Sequence, residues 1–297
     1  MRIGLFTVAG GAPLDDLVAQ VRLARDAGLA SAFFGHSSSS WDALMAAALA
    51  GREVPGIEVG TAVVPTYPRH PLTVAGQALT AQAMTGGRFT LGIGPSHAAM
   101  IEGWYGIPYE RPVRHTRDYL AALLPLLRGE TVEHRGETLS AVGAVDAPGA
   151  APPQVILSAL GPAMLRAAGE LADGTVTTWT GPAAIGDHIV PAITSAARAA
   201  GRPAPRVLAG VLVALTTDPD GVRREIAERF AAATDFPAYR SVLERQGLAG
   251  VHETVVAGDE REVAAELRRF AAAGATDLLV SPYGDAARVL EFAASLG

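Results

Sequence analysis

A chain of 297 residues that is 49% hydrophobic and 18% charged has the apolar content to bury a large core and lacks the polar bias of a disordered segment. Its formal net charge of −6 argues against an electrostatic nucleic-acid binder, which needs a basic surface to displace counterions. The absence of cysteine removes disulfides, thiolate metal sites and thiol catalysis, and the absence of asparagine removes any N-glycosylation acceptor.

All 24 basic side chains are arginine, a bias expected of GC-rich coding DNA such as that of an actinobacterium. The opening run Met1 to Val8, followed by Gly10 and Gly11, is too short and wrongly flanked for a signal peptide. No apolar stretch reaches the roughly 18 residues of a membrane span. A cytoplasmic protein is expected.

In chain order, Ile3–Val8 reads as a strand, Leu14–Ala27 as a helix, Ala32–Gly35 as a strand and Trp41–Arg52 as a helix. Ile57–Val64 and Phe89–Ile93 follow as strands, with helical patterns over Leu72–Thr85 and His115–Leu127. Thr131–Leu139 then looks like a hairpin around Arg135 and Gly136, inserted before the strand Val155–Ser158. The alternation resumes with helix Ala163–Leu171, strand Thr175–Thr178, helix Ala183–Ala200 and strand Val207–Leu215. Val222–Ala273 is helical with breaks and contains a second insertion at about 234–257, where Phe236-Pro237-Ala238-Tyr239 opens an extra helix. Strand Leu278–Ser281 and helix Ala286–Leu296 close the series. Gly28 and Gly274 each stand where a helix should stop shortly before a strand.

Eight strands alternating with helices predict an α/β fold, a closed (β/α)8 TIM barrel with insertions before strand 5 and after strand 7, forming one domain over residues 1–297. An open doubly wound sheet uses the same alternation but usually fewer strands. The common dinucleotide fingerprint is missing, because Gly92-Ile93-Gly94-Pro95-Ser96-His97 lacks the third glycine and puts proline in the turn. Neither a P-loop nor a His-Glu-x-x-His zinc motif occurs, and no metal site is expected. In such barrels chemistry sits at the C-terminal ends of the strands. That rule selects His36, Pro65 to His70, Gly94 to His97, Ser158 to Pro162, Trp179, and Pro282 with Tyr283. Arg88 begins a strand and belongs to the opposite, stability face.

The run Gly60-Thr61-Ala62-Val63-Val64-Pro65-Thr66-Tyr67-Pro68-Arg69-His70-Pro71, followed by Gly86-Gly87-Arg88-Phe89-Thr90-Leu91-Gly92-Ile93-Gly94, resembles the luciferase-like monooxygenase superfamily. More narrowly it is similar to the actinobacterial branch that uses coenzyme F420, with further matches at Ser158 to Pro162, Ala172-Asp173-Gly174 and Gly201 to Arg206. The resemblance covers nearly the whole chain. It implies an F420-dependent oxidoreductase that transfers a hydride between the deazaflavin and a small alcohol, imine or activated alkene. It also implies a bulge in the third strand, with a non-proline cis peptide at Ala62–Val63 behind the cofactor ring.

On this resemblance the cofactor contacts would come from Ala62, Val63, Gly94, Ser96, Ser158, Ala159, Leu160, Gly161 and Trp179. The turn Ser158 to Gly161 leads into Pro162, suited to a first helical position, so unpaired N–H groups and the positive helix end would meet a phosphate there. Gly161 would let the backbone come close, or is a plain turn glycine.

The catalytic candidates are His36 and His97. Similar deazaflavin enzymes often carry an acid and then His at the second strand end, whereas here Gly35 precedes His36 and four serines follow. His36 could move the proton that accompanies hydride transfer, or could be structural. His97 would enter the same pocket beside Ser96, or could simply start a helix.

Glu102, Trp104 and Tyr105 would shape the substrate side, and Arg69, Arg111, Arg114 and His115 could meet an anionic cofactor tail. Two alternatives stay open: an FMN-dependent monooxygenase on the same fold, and a non-catalytic ligand-binding barrel. A small-molecule substrate is the expected partner, with no nucleic acid and no membrane, and a homodimer is an assembly common among such barrels.

Overall fold

The computed structural model describes residues 1–8 and 12–297, so Gly10 and Gly11 lie outside the described residues. The barrel strands are β1 (Arg2–Val8), β2 (Ser31–Gly35), β3 (Glu58–Thr61), β4 (Phe89–Gly94), β5 (Gln154–Ser158), β6 (Gly174–Thr178), β7 (Arg206–Leu215) and β8 (Asp277–Pro282). Every neighbouring pair is parallel, and β8 pairs back onto β1, with Val280 opposite Leu5, which closes the ring. Each lies within a residue of its predicted bounds except the third. There the strand stops at Thr61 and resumes as Val64–Pro65, paired with Ile93 and Gly94 of β4. The break holds a cis peptide at Ala62–Val63, the position anticipated. Thr61 fixes the break, because its hydroxyl donates to the Gly92 carbonyl at 2.7 Å and accepts from the Gly92 N–H at 2.9 Å.

Two clusters of buried side chains follow from this layout. The larger lies between the strands and the helices, while Phe33, Ile156, Val176, Leu208 and Leu279 fill the barrel interior beneath Phe6, Ala62 and Val63. The helices outside include α1 (Leu14–Asp26), α2 (Ala43–Glu53), α3 (Pro71–Met84), α4 (Ala98–Tyr105), α5 (Pro112–Leu127) and α6 (Pro162–Leu171). After these come α7 (Val190–Ala199), α8 (Pro219–Arg229), α9 (Pro237–Gln246), α10 (Glu260–Ala272) and α11 (Ala286–Ala294). Gly28 and Gly274 end α1 and α10 in the same way, at φ of 94° and 96°. In both cases the next N–H, of Leu29 or Ala275, bonds back to Ala24 or Phe270, the motif that left-handed glycines permit.

The N-terminal ends of the strands are tied by one ionic network. Arg206 reaches Glu58 at 2.9 Å and Asp277 at 2.7 Å, and Arg2 bonds the same two carboxylates. Arg88 bonds the carbonyls of Ile57 and Gly51 on this face, in keeping with its assignment away from the site.

The insertions differ in detail from the sequence reading. The hairpin pairs Val132–Arg135 with Ser140–Gly143, so its second strand lies beyond Leu139. The turn is longer because buried Asp118 of α5 accepts from the N–H and hydroxyl of Thr138 at 3.0 and 2.9 Å. After β7, Phe236 immediately precedes the predicted extra helix α9, and an unpredicted strand, Val256–Gly258, pairs with the end of β7. Helix α4 was anticipated only through the reading of His97 as a helix start, since it buries only Ile101 and so offers no apolar stripe. The expected helix Ala183–Ala200 contains a π turn at Ile185–Ile189. Pro191 cannot donate to the carbonyl four residues back, which accounts for the wider turn just before it. Among the described residues no helix is long and apolar enough to cross a membrane.

Candidate active site

A cavity of about 540 Å³ opens where the C-terminal ends of the strands meet the segment after β7. Its floor is the top of the barrel interior, because Phe6, Ala62, Val63 and Val176 both pack the core and line the cavity. Ten of the eleven candidate residues, all but Gly94, face it: His36, Ala62, Val63, Ser96, His97, Ser158, Ala159, Leu160, Gly161 and Trp179. Gly94 lies just behind. A Cβ there would stand 2.1 Å from Ser158 Oγ and 3.1 Å from Val63 Cγ2, so the missing side chain lets both groups pack against the Gly94 backbone.

His36 leaves β2 half-buried, and its Nδ1 is buried without a hydrogen-bond partner. Burial lowers the pKa of its ring, the Arg69 charge lowers it further, and Asp42 opposes both. Neutral imidazole is therefore the form at pH 7. Asp42 caps α2 through the N–H groups of Leu44 and Met45, each at 3.0 Å, and binds Arg69 at 2.7 Å. Sequence reasoning missed this pair, although an Asp just before an alanine-rich helix is a recognisable cap. A Cβ on Gly35 would lie 2.9 Å from Phe6 Cζ, so Phe6 occupies the space that an acid at position 35 would need. The serine run closes on itself, with Ser40 bonding the Ser37 carbonyl, and only Ser38 of the four faces the cavity.

His97 does precede a helix, but its side chain does not cap it. The ring instead stacks on Phe236 at 4.3 Å and 17° and leans on Tyr239 at 5.0 Å. Burial lowers its pKa. Across the cavity Trp179 meets Phe230 at 5.2 Å. Ser96 and Trp179 have left-handed backbones, φ 64° and 58°, a conformation that side-chain-bearing residues adopt only where their surroundings enforce it. The aromatic contributions of Phe230, Phe236 and Tyr239 were not identified as site residues from sequence. They lie more than a hundred residues from His97 in the chain, so no local pattern relates them.

The turn after β5 ends at Gly161, which precedes Pro162 of α6 and has no side-chain cap. Its φ of −83° is ordinary, and an added Cβ would meet nothing within 4 Å, which excludes a left-handed turn requirement. The N–H groups of Ala163 and Met164 thus stand at an open helix N-terminus beside the cavity. His188, carried by the π turn, holds the turn from behind through Nε2 and the Leu160 carbonyl at 2.8 Å. This contact implies protonation at Nε2, since a carbonyl only accepts.

Other expected contacts point elsewhere. Arg111 and Arg114 pair with Glu137 at 2.7 and 3.0 Å. His115 is buried against Thr66 and Tyr67, where burial lowers its pKa to about 4. None of these three, nor Arg69, lines the cavity; neither do Glu102, Trp104 or Tyr105.

An apolar floor, a neutral imidazole with an unpaired nitrogen and an open helix N-terminus fit a flat ring system that carries a phosphate. Together with the closed parallel barrel they define a (β/α)8 protein with a ligand-sized cavity at the C-terminal ends of its strands.

The luciferase-like monooxygenase family model matches residues 1–277, and the chain belongs to that family. It is 30% identical over 193 residues to the 5,10-methylenetetrahydromethanopterin reductase of Methanolobus tindarius, covering 65% of this chain and 59% of that protein. It is 35% identical over 121 residues to a Mycobacterium tuberculosis protein provisionally named a coenzyme F420-dependent oxidoreductase, covering 40% of this chain and 35% of the other. The chain therefore matches less than two thirds of the length of either relative.

Among solved structures, the coenzyme F420-dependent tetrahydromethanopterin reductase of Methanopyrus kandleri superposes with a TM-score of 0.85 at 22% identity, covering 99% of this chain and 97% of that one. An F420-dependent secondary alcohol dehydrogenase holding an F420-acetone adduct gives 0.84 at 18% identity, covering 100% and 98%. A monooxygenase from Streptomyces bottropensis gives 0.81 at 18% identity, covering 99% and 98%. At these identities the structural likeness establishes the fold.

Proposed function

We propose that the chain is a coenzyme F420-dependent oxidoreductase acting on a small organic substrate, an alcohol, imine or activated alkene, through one barrel unit spanning residues 1–297. The observation that carries the reading is the union, in one cavity, of an unpaired neutral imidazole at His36 and the open N-terminus of α6 over an apolar floor. The names of the relatives support the choice of coenzyme.

When bound, the deazaflavin supplies or accepts the hydride at its ring carbon. Ala62 and Val63, with Gly94 behind them, would back the ring. Ser158, Ala159, Leu160 and Gly161 would hold the phosphate with backbone donors, and Ser96 and Trp179 would border the ligand. An alcohol that loses a hydride also sheds its hydroxyl proton, and the neutral His36 ring is the cavity base available to take it. In the reducing direction the protonated ring returns that proton. His97 is held in an aromatic stack, which makes it a wall of the cavity before it is an acid or base.

The likeness to a monooxygenase supports a second reading, in which reduced FMN occupies the same site. The α6 N-terminus would serve either phosphate, but the chemistry would change class, because a flavin reacts readily with oxygen and a deazaflavin poorly. Titration of the purified protein with F420, and separately with FMN, followed by cofactor absorbance, tests the choice. Preferential F420 binding is expected; preferential FMN binding would overturn the coenzyme assignment and leave an oxygenase.

A further inference from the structure

Among the described residues, no side chain lining the cavity is Asp, Glu, Lys or Arg. The three residues outside that set, Ala9, Gly10 and Gly11, carry no charge either. The cations of the neighbouring segments lie outside that lining: Arg69 is paired with Asp42, Arg111 and Arg114 with Glu137, and Arg229 stands over the Phe230 ring at 5.4 Å. A carboxylate or phosphate on the substrate would therefore lose its hydration without gaining a charged partner. The phosphate-binding end of α6 offers no relief, since the cofactor would use it.

What the cavity does offer is ring surface. Phe230, Phe236 and Tyr239, all from the segment after β7, form two aromatic groups on opposite sides of the cavity, Phe236 and Tyr239 with His97 at 4.3 and 5.0 Å, and Phe230 with Trp179 at 5.2 Å between centroids. All five rings line the cavity. Rings at such spacings prefer further ring faces or edges as neighbours.

We infer that the substrate is an uncharged carbonyl compound or alcohol bearing an aromatic or conjugated ring, recognised by the aromatic wall that the segment after β7 contributes. This inference rests on the oxidoreductase reading and adds the substrate class to it.

Calorimetric titration of the apoprotein and of the cofactor-loaded protein tests it with four matched probes: acetophenone, cyclohexyl methyl ketone, 4-acetylbenzoate and 4-acetyl-N,N,N-trimethylanilinium. Acetophenone should bind roughly three- to tenfold tighter than the cyclohexyl ketone. It should bind at least about tenfold tighter than either charged probe. In Phe236→Ala, and separately in Trp179→Ala, the preference for the aromatic ketone should fall by about threefold or more.

The inference is overturned if a charged probe binds as tightly as acetophenone, if acetophenone fails to bind at millimolar concentration, or if both variants keep the full ring preference. Selective acetophenone binding without F420 binding would overturn the coenzyme reading and leave the substrate class standing. F420 binding with a preference for the carboxylate would do the reverse.

Discussion

At the scale of single residues, the site turns on two imidazoles of different character. His36 has a free buried nitrogen, whereas His97 spends its faces on Phe236 and Tyr239. His36→Ala should lower kcat by about 10²–10⁴-fold with cofactor affinity little changed, as measured by steady-state kinetics beside a cofactor titration. His97→Ala should instead raise KM and loosen the segment after β7. Equal losses of kcat in the two variants would contradict this division.

The lowered pKa of His36 sets the sign of the pH profile. In the oxidising direction, where the ring must be neutral, the acidic limb of kcat/KM should fall below pH 6.5 and activity should persist above it. Gly94 and Ser158 offer a packing test. Gly94→Ala should cost on the order of 1–3 kcal/mol in urea unfolding. Adding Ser158→Ala should recover part of that loss, because the 2.1 Å approach is to the hydroxyl.

At the scale of elements, sequence legibility follows locality. The eight strands could be read because each is a short apolar or, in β6, threonine-rich β-branched run, and the cavity residues after β2, β4, β5 and β6 could be read from the barrel rule alone. The contacts that could not be read join distant elements: His188 to the Leu160 carbonyl, His97 to Phe236, and Asp118 to Thr138. Arg111 and Arg114 look like free cations in the sequence because their partner, Glu137, sits in the inserted hairpin. That hairpin supplies an element-scale prediction. Asp118→Ala removes two hydrogen bonds from Thr138 and one of the two ion pairs of Arg114, which keeps Glu137, so it should destabilise the protein by roughly 2–3 kcal/mol. Hydrogen exchange should rise in Val132–Gly143 before it rises in the barrel strands.

At the scale of the whole molecule, the barrel divides its labour between its ends, with an uncharged cavity at the C-terminal ends of the strands and an ionic plug at their N-terminal ends. The two ends give stability a two-stage dependence on pH. His115 has a folded pKa of about 4 against an ordinary 6.5, so the unfolded chain binds more protons between those values. Its contribution, roughly 3 kcal/mol, is complete above pH 6.5 and is lost as pH falls toward 4. His36 and His97 shift in the same direction. Glu58 belongs to a second stage. Burial acts to raise its pKa, but the Arg206 charge and the hydrogen bonds from Arg206, Thr90 and Arg2 outweigh that effect and hold it below 4.5. Its contribution is present above 4.5 and is lost as pH falls below that value.

Unfolding free energy measured from pH 8 to 3 should therefore fall in two steps that different variants remove. His115→Gln should flatten the step between 6.5 and 4, with little change to the lower one. Arg206→Gln should lower stability by about 3–5 kcal/mol at neutral pH, because it leaves Glu58 and Asp277 as buried charges with a weakened partner set. It should also shrink the lower step, since Glu58 then titrates closer to its unfolded value. A uniform downward displacement of the curve in Arg206→Gln, with both steps intact, would show that the plug holds the barrel by packing and hydrogen bonding alone and that its charge is incidental.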